Sequence, residues 1–525
     1  MDCPEIITRL KNKFPQFRVL SAQQVYPDEL RLHVQPQIFK DTCLALHNIL
    51  ASPAMMLFAE DRRRESGTFL LNCVFISIKS GQWIIVTMDL PGENPSFDSL
   101  AKSIYSANLF EREIREMFGI EAKGNPDRRR LNLHDEVWPQ GNYPLRKDFN
   151  QITPGSLGDY KFSRVEGEGI FEVPVGPVHA GIIGPGHFRF SVAGEPVINL
   201  ETRLGFTHRG VEKIFEGKTF KQAMQLAECV CGDSCFAHSL AFIHAAEKIS
   251  SVAPSRQTAY LRAIFLELER MYNHVNDIGG MATDVGFSFP AACASIIKEA
   301  ILQLNYELTG SRYLKKINIP GGILIALDSL KQDKLVSALK KIIRDFDKLA
   351  DMLGASVSFM DRMDSTGVLK RKTAEDLGVV GLAARASGIP LDLRKHFPGV
   401  YQEVKFKMIT QESGDVLARL RIRFYEFKES ARLIVEFLNK LGPVQEENVL
   451  PNTKPGAGLG YVEGWRGPVL YWLKTGDSGL IERCKIVDAS FHNWPGLSFA
   501  VLGNIIPDFP LCNKSFDLSY PGNDL

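Results

Sequence analysis

Five long helical runs, near 219–250, 256–277, 288–311, 331–354 and 412–441, fill the middle of the 525-residue chain. Helices of that length hold together in water by burying an apolar face against one another. The region is therefore predicted as a large helical bundle. Strand-like segments frame it. Phe171–Val175, Phe188–Val192 and Val197–Leu200 precede it, and Val469–Leu473 lies in a strand-and-turn tail from about 457. The first 150 residues mix both textures. Cys43–Leu46 reads as helical, Phe69–Ile76 and Trp83–Val86 as strands rich in β-formers, and 99–118 as a helix stopped by Gly119. Pro and Gly punctuate 124–158, which marks a boundary or a segment that wraps a neighbour. The expected organisation is an α+β domain over 1–150, a linker over 151–164, and over 165–525 a mainly α-helical domain with β segments at both ends.

Composition removes several classes. Lys+Arg number 62 and Asp+Glu 61, a net charge of +1, so nothing suggests a nucleic-acid partner. Nine cysteines in 525 residues are too sparse for a disulfide scaffold. The first residues contain no apolar stretch of signal-peptide type, and no run approaches about 18 apolar residues. A cytoplasmic protein without a membrane span is expected.

The densest chemical cluster runs from Glu228 to His238. On a continuous helix Cys231, Cys235 and His238 share one face, where two thiols and an imidazole suit a soft metal. Packing is the simpler reading, because free Cys is among the most buried residue types and no CxxC occurs in the chain. A second cluster, Gly176–Gly181 with Pro185–Arg189, sets His179, His187 and Arg189 beside glycines that let backbone approach a ligand; a pair of surface turns is the plainer alternative. In the third, Thr207–Lys213, Glu212 and Lys213 read as the solvated start of a helix. In the fourth, Glu267, Arg270, His274 and Asp277 form either a buried polar network or a solvated face. The fifth, Lys454–Gly460, superficially matches a dinucleotide loop but lacks the strand–loop–helix context, and a Gly-rich hairpin is expected.

Read in order, these segments resemble a known family. Asn108–Glu113 with Met117–Ile120, then Asn125–Arg129, then Tyr143–Phe149 are similar to the signature of the 30-kDa subunit of respiratory complex I. Gly176–His179, Pro185–Arg189, His208–Lys213 and Val230–Gly232 with Phe236–His238 resemble the complex I 49-kDa subunit and the large subunits of group 4 membrane-bound [NiFe]-hydrogenases. Fusion of the two resembles the large subunit of formate-hydrogenlyase-type enzymes. The resemblance implies an oxidoreductase large subunit that packs on a small subunit bearing a [4Fe–4S] cluster. It also implies integral-membrane, antiporter-like partners that move H+ or Na+, and a peripheral place on the inner face of the cell membrane. The implied segments meet at one cleft, with His179, His187, Arg189, His238 and Glu212 as its candidate residues.

The departures from the family are specific. Its hydrogenases hold a Ni–Fe centre with two CxxC pairs. Here the matching positions are Cys231 and Ser234, with Cys235 one residue beyond, and then Ser519 and Gly522 after Asp517. Gly184 and Pro468 stand where hydrogenase relatives carry carboxylates. The sequence therefore predicts the nickel-free, hydrogenase-related branch, with no Ni–Fe centre expected and a quinone or another oxidised acceptor in its place. The Cys231–Cys235 window also lacks the Tyr of the complex I quinone site. A working H2-evolving hydrogenase and a non-catalytic structural subunit are the rival readings.

Overall fold

Thr68–Ser77 (TFLLNCVFIS) is apolar and β-forming almost throughout, and it is buried along nearly its whole length. A strand buried on both faces reads as a continuous apolar run rather than an alternating one. In the computed structural model it pairs antiparallel with Met56–Arg62 on one side and Gln82–Pro91 on the other. Glu29–Val34 joins in parallel to Gln82–Pro91, and Val19–Tyr26 closes a five-stranded sheet. The crossover that a parallel pair requires includes the helix Pro36–Leu50, which packs on the two central strands. The structure describes residues 19–179, 183–397, 399–442 and 454–525, together with Glu5, Ile7, Thr8 and Leu10.

The rest of the described chain is built on one buried helix, Arg256–Asp284, flanked by Ser288–Thr309 and Val416–Lys440. Ser329–Ala355 packs outside these, with Phe346 stacked on Phe427 at 3.8 Å. Two three-stranded antiparallel sheets bracket the helices. One has His187–Ala193 between Ile170–Val175 and Val197–Arg203; the other has Pro468–Thr475 between Gly456–Glu463 and Ile481–Val487. The fold is thus an α+β region followed by a mainly helical one with β segments at both ends.

The two regions share a core. Leu459, Leu470, Trp472 and Phe491 belong to the same apolar cluster as Phe58, Phe69 and Trp83. Trp83 stacks on Phe397 at 5.1 Å, and Phe58 meets Trp472 at 5.5 Å. Buried charge crosses the same boundary: Lys485 binds both carboxylate oxygens of Glu113 at 2.6 and 2.7 Å.

Three features differ from the sequence reading. The 219–250 run is two helices, Phe220–Ala227 and Cys235–Ser250, because Gly232-Asp233-Ser234 favours a turn over a helix interior. The 99–118 helix starts only at Ala107; residues before it turn around the Glu111 carboxylate, which takes hydrogen bonds from Ser99 and the Leu100 amide. The chain ends in helices, Ala489–Ala500, Phe509–Phe516 and Tyr520–Asp524, rather than in strands and turns. Lys454–Gly460 does enter a hairpin strand, and Gly460 is required there: a Cβ would lie 2.0 Å from the Ala241 carbonyl oxygen.

Candidate active site

The turn at 228–234 decides where Cys231 points. Because Cys231 precedes the Cys235–Ser250 helix, the three residues read as one helical face separate. The Cys235 thiol turns back to the Gly232 carbonyl at 3.0 Å. His238, fully buried, spends both ring nitrogens, Nε2 on Asp488 at 3.1 Å and Nδ1 on the Tyr471 hydroxyl at 2.9 Å. Cys231 Sγ instead lies 3.0 Å from Ser519 Oγ and donates to Asp233 at 2.8 Å. Among the described residues no group of three or more His, Cys, Asp or Glu side chains is placed to hold a metal ion.

Arg466 occupies the middle of this group. Its guanidinium binds both oxygens of Asp233 at 2.8 and 2.6 Å, the fork geometry that Arg suits best. It also donates to the Asp517 carbonyl, lies 3.6 Å from Cys231 Sγ and 3.4 Å from Ser234 Oγ, and stacks over Trp465 at 3.9 Å. Ser234 accepts the Trp465 indole N–H at 3.0 Å. Burial opposes ionisation of Asp233, but Arg466 outweighs it and holds the carboxyl below its ordinary value. Burial, and then the Asp233 charge, push the Cys231 thiol far up, so it stays protonated near neutral pH.

A four-thiolate Ni–Fe centre does not fit these residues. Of the four matching positions only Cys231 carries sulfur, and soft metals of this kind are held by several thiolates. Ser234 is engaged with Asp233 and Trp465. Ser519 caps the last helix through the Gly522 amide at 2.9 Å. At Gly522 a Cβ would lie 2.9 Å from Ser519 Oγ and 3.0 Å from the Asp488 carboxyl carbon, so the fourth position lacks the room as well as the sulfur.

The distant segments converge around this group. Tyr520 packs against the second cluster: a Cβ on Gly184 or Gly186 would meet its ring at 2.7 or 2.6 Å. His208 and Thr207 bind Asp524, and Arg209 reaches the Val230 carbonyl at 2.9 Å. The two loop histidines are oriented by backbone. His179 Nε2 donates to the Gly186 carbonyl at 2.8 Å and His187 Nδ1 to the Gly176 carbonyl at 3.2 Å. A carbonyl only accepts, so each neutral ring presents an acceptor, not a donor, at its other nitrogen. A neutral ring at either position therefore offers an oxidised headgroup an acceptor and not a donor. His187 Nε2 is buried without a partner, and burial lowers the pKa of the ring. Arg189 pairs with Glu172 at 3.1 Å and stacks on Phe162 at 3.9 Å.

Glu212 borders a small pocket with His208 and Asp524. It is buried between Arg483 at 2.7 Å and Lys485 at 3.0 Å, and these two cations outweigh burial to lower its pKa. Its reading as a solvated helix start fails because its partners lie far along the chain, Arg483 by 271 positions. The fourth cluster is wholly interior: Glu267 binds Arg270, Arg394, Tyr401 and Ser430, His274 binds Glu426 at 2.9 Å, and Asp277 binds Arg423 at 2.8 Å. Asp233, Asp488 and Tyr520 were not singled out from sequence. Only Asp488 had a local signal, an Asp two residues before Ser490 at a helix start, which it caps at 2.7 Å.

A two-part fold of this kind, closed around a remodelled Cys231 group, defines a large subunit of the complex I and hydrogenase type. Residues 32–154 match the family of the respiratory-chain NADH dehydrogenase 30 Kd subunit, and residues 284–456 that of its 49 Kd subunit. Formate hydrogenlyase subunit 5 of Escherichia coli (strain K12) is 30% identical over 99% of this chain and 92% of its own length, and hydrogenase-4 component G of the same organism is 30% identical with the same coverage. The C/D subunit of the NADH-quinone oxidoreductase of Bacteroides thetaiotaomicron is 29% identical over 73% of this chain and 76% of its own. The chain belongs to this family of fused 30-kDa/49-kDa-type oxidoreductase subunits. No helix of the described residues is long and apolar enough to cross a membrane.

Proposed function

We propose that the chain is the large subunit of a membrane-associated, complex I-related oxidoreductase that works without a Ni–Fe centre. Electrons would enter from a small subunit bearing a [4Fe–4S] cluster and leave to a quinone or another oxidised acceptor. Integral-membrane, antiporter-like subunits would couple this transfer to ion movement, with the chain held peripherally on the inner face of the membrane. The observation that carries the reading is the Arg466–Asp233 ion pair set between Cys231 and Ser234, where a metal-binding relative would need thiolates.

The chain's own residues supply polarity and proton acceptors rather than metal ligands. His187 Nε2, unpartnered beside Phe162, suits the hydroxyl of a reduced acceptor better than the carbonyl of an oxidised one. Protonation of that ring would convert it into a donor, so acceptor binding and proton uptake would be linked at one atom. Elemental analysis of the purified complex tests the nickel-free reading. Iron from the partner cluster with nickel far below one per chain is the expected result; about one nickel per chain would overturn it and restore the hydrogenase reading.

A further inference from the structure

A cavity of about 210 Å³ lies away from the Cys231 group, between the Cys235–Ser250 and Arg256–Asp284 helices, the strand Gly456–Glu463 and residues 393–397 and 399–401. Its walls are mostly apolar, with Leu240, Leu266 and Phe397 among them. The pocket opens to solvent, and its apolar walls favour an apolar occupant over water. Glu463, Arg394 and Tyr401 also reach the cavity, but their polar groups are committed to the interior charge network: Glu463 to Arg385, Arg394 to Asp392 and Tyr401 to Glu267.

One polar group on the wall has capacity left. His244 lies six residues, nearly two turns, beyond His238 on the same helix. Its Nδ1 donates to the Tyr461 carbonyl at 3.0 Å, which fixes the tautomer and leaves Nε2 as an acceptor with no hydrogen bond. Arg262 spends both terminal nitrogens on Glu247, Ile319 and Gly322, and its Nε is packed out of reach of the pocket. One free acceptor on a mostly apolar wall is complementary to a single hydroxyl donor.

We infer that this cavity is a second ligand site, and that it takes a compact, largely apolar molecule carrying one hydroxyl, of the phenol or alicyclic alcohol class. The hydroxyl donates to His244 Nε2 and the apolar body fills the space between Leu240, Leu266 and Phe397. The site is independent of any chemistry at Cys231, and its ligand need not be the electron acceptor.

Titration of the full-length protein with 4-methylphenol and, separately, with toluene tests the inference, using calorimetry and melting temperature as readouts. 4-Methylphenol should bind saturably at one site, raise the melting temperature, and bind at least about tenfold tighter than toluene, as a buried hydrogen bond implies. His244→Leu should bring the two compounds to within about threefold of each other, and Ala259→Phe, which projects a ring into the cavity, should abolish binding of both. Each variant is first compared with the wild type for its unliganded melting temperature. If Ala259→Phe does not fold, the wild type and His244→Leu decide the matter. No saturable binding in the wild type, equal affinity for the two compounds, or an unchanged preference in folded His244→Leu would each overturn the proposal.

Discussion

Cys231 Sγ and Ser519 Oγ lie 3.0 Å apart although 288 positions separate them in the chain. The contact joins the turn before the Cys235–Ser250 helix to the cap of the last helix, and Arg466 seals it by binding Asp233 on one side and Asp517 on the other. An ion pair with hydroxyl and thiol neighbours thus joins three segments that are distant in the chain.

Replacing Arg466 by Gln should therefore destabilise more than a surface change would. The guanidinium is 6% exposed, whereas the Asp233 side chain keeps 39% of its exposure, so part of the stranded charge is relieved by solvent. A loss of about 3 kcal/mol is expected, at the lower end for breaking a buried pair. Adding Asp233→Asn to the same chain should recover part of it. Urea unfolding of the two single variants and the double variant measures the coupling; additive losses would show that the pair contributes nothing to stability.

The close approach of strand to helix at Gly460 predicts a sharp contrast between neighbouring glycines. A Cβ at 460 would lie 2.0 Å from the Ala241 carbonyl oxygen and 2.4 Å from the Ala245 nitrogen, both backbone, while at 456 nothing comes closer than 3.5 Å. Gly460→Ala should cost at least about 2 kcal/mol, and Gly456→Ala less than about 1 kcal/mol. Thermal melts of the two variants read the difference directly.

His492 ties the two regions together by donating from Nε2 to the Met55 carbonyl at 3.0 Å. Burial drives its pKa down to about 4, with the Met55 bond opposing. The unfolded chain takes up this proton first, so the stability His492 contributes is complete above about pH 6.5 and drains away as pH falls toward 4, by about 3 kcal/mol in all. His492→Gln can still donate to Met55 but does not titrate. Its stability should fall less steeply between pH 6.5 and 4 than that of the wild type, and parallel curves from denaturant titrations would remove the assignment.

The 124–164 segment has no regular structure beyond a few turns, yet it is anchored along its length. The Asn142 side chain accepts from the Thr153 amide at 2.8 Å and donates to the Thr153 carbonyl at 3.0 Å, Gly158 bonds to Asp135, and Arg129, Tyr160 and Ser163 all meet Glu201. Thermolysin should leave the native chain uncut here in spite of the exposed Ile152 and Leu157. Asn142→Ala should speed cleavage around these two residues about tenfold, the effect of losing one to two net hydrogen bonds from the closed state. Rapid cutting of the wild type would mark the segment as a loose tether.

Much of this protein is legible in its sequence. The apolar runs at 69–76 and 83–86 lie in the central strands, and four of the five helical runs are single helices, because local propensity and periodicity decide such elements. The missing thiols at Ser234, Ser519 and Gly522 are also facts of sequence alone. The single helix read over 219–250 failed where Gly232-Asp233-Ser234 imposed a turn, and that turn, not the spacing of Cys231, Cys235 and His238, sets the direction of each side chain. Sequence carried no sign that Arg466 would pair with Asp233, Lys485 with Glu113, or His238 with Asp488, since these contacts cross 233, 372 and 250 positions respectively. Burial makes such pairs obligatory, because a charge removed from water needs a partner. Which partner it finds depends on how sheets and helices stack, and only the folded chain settles that.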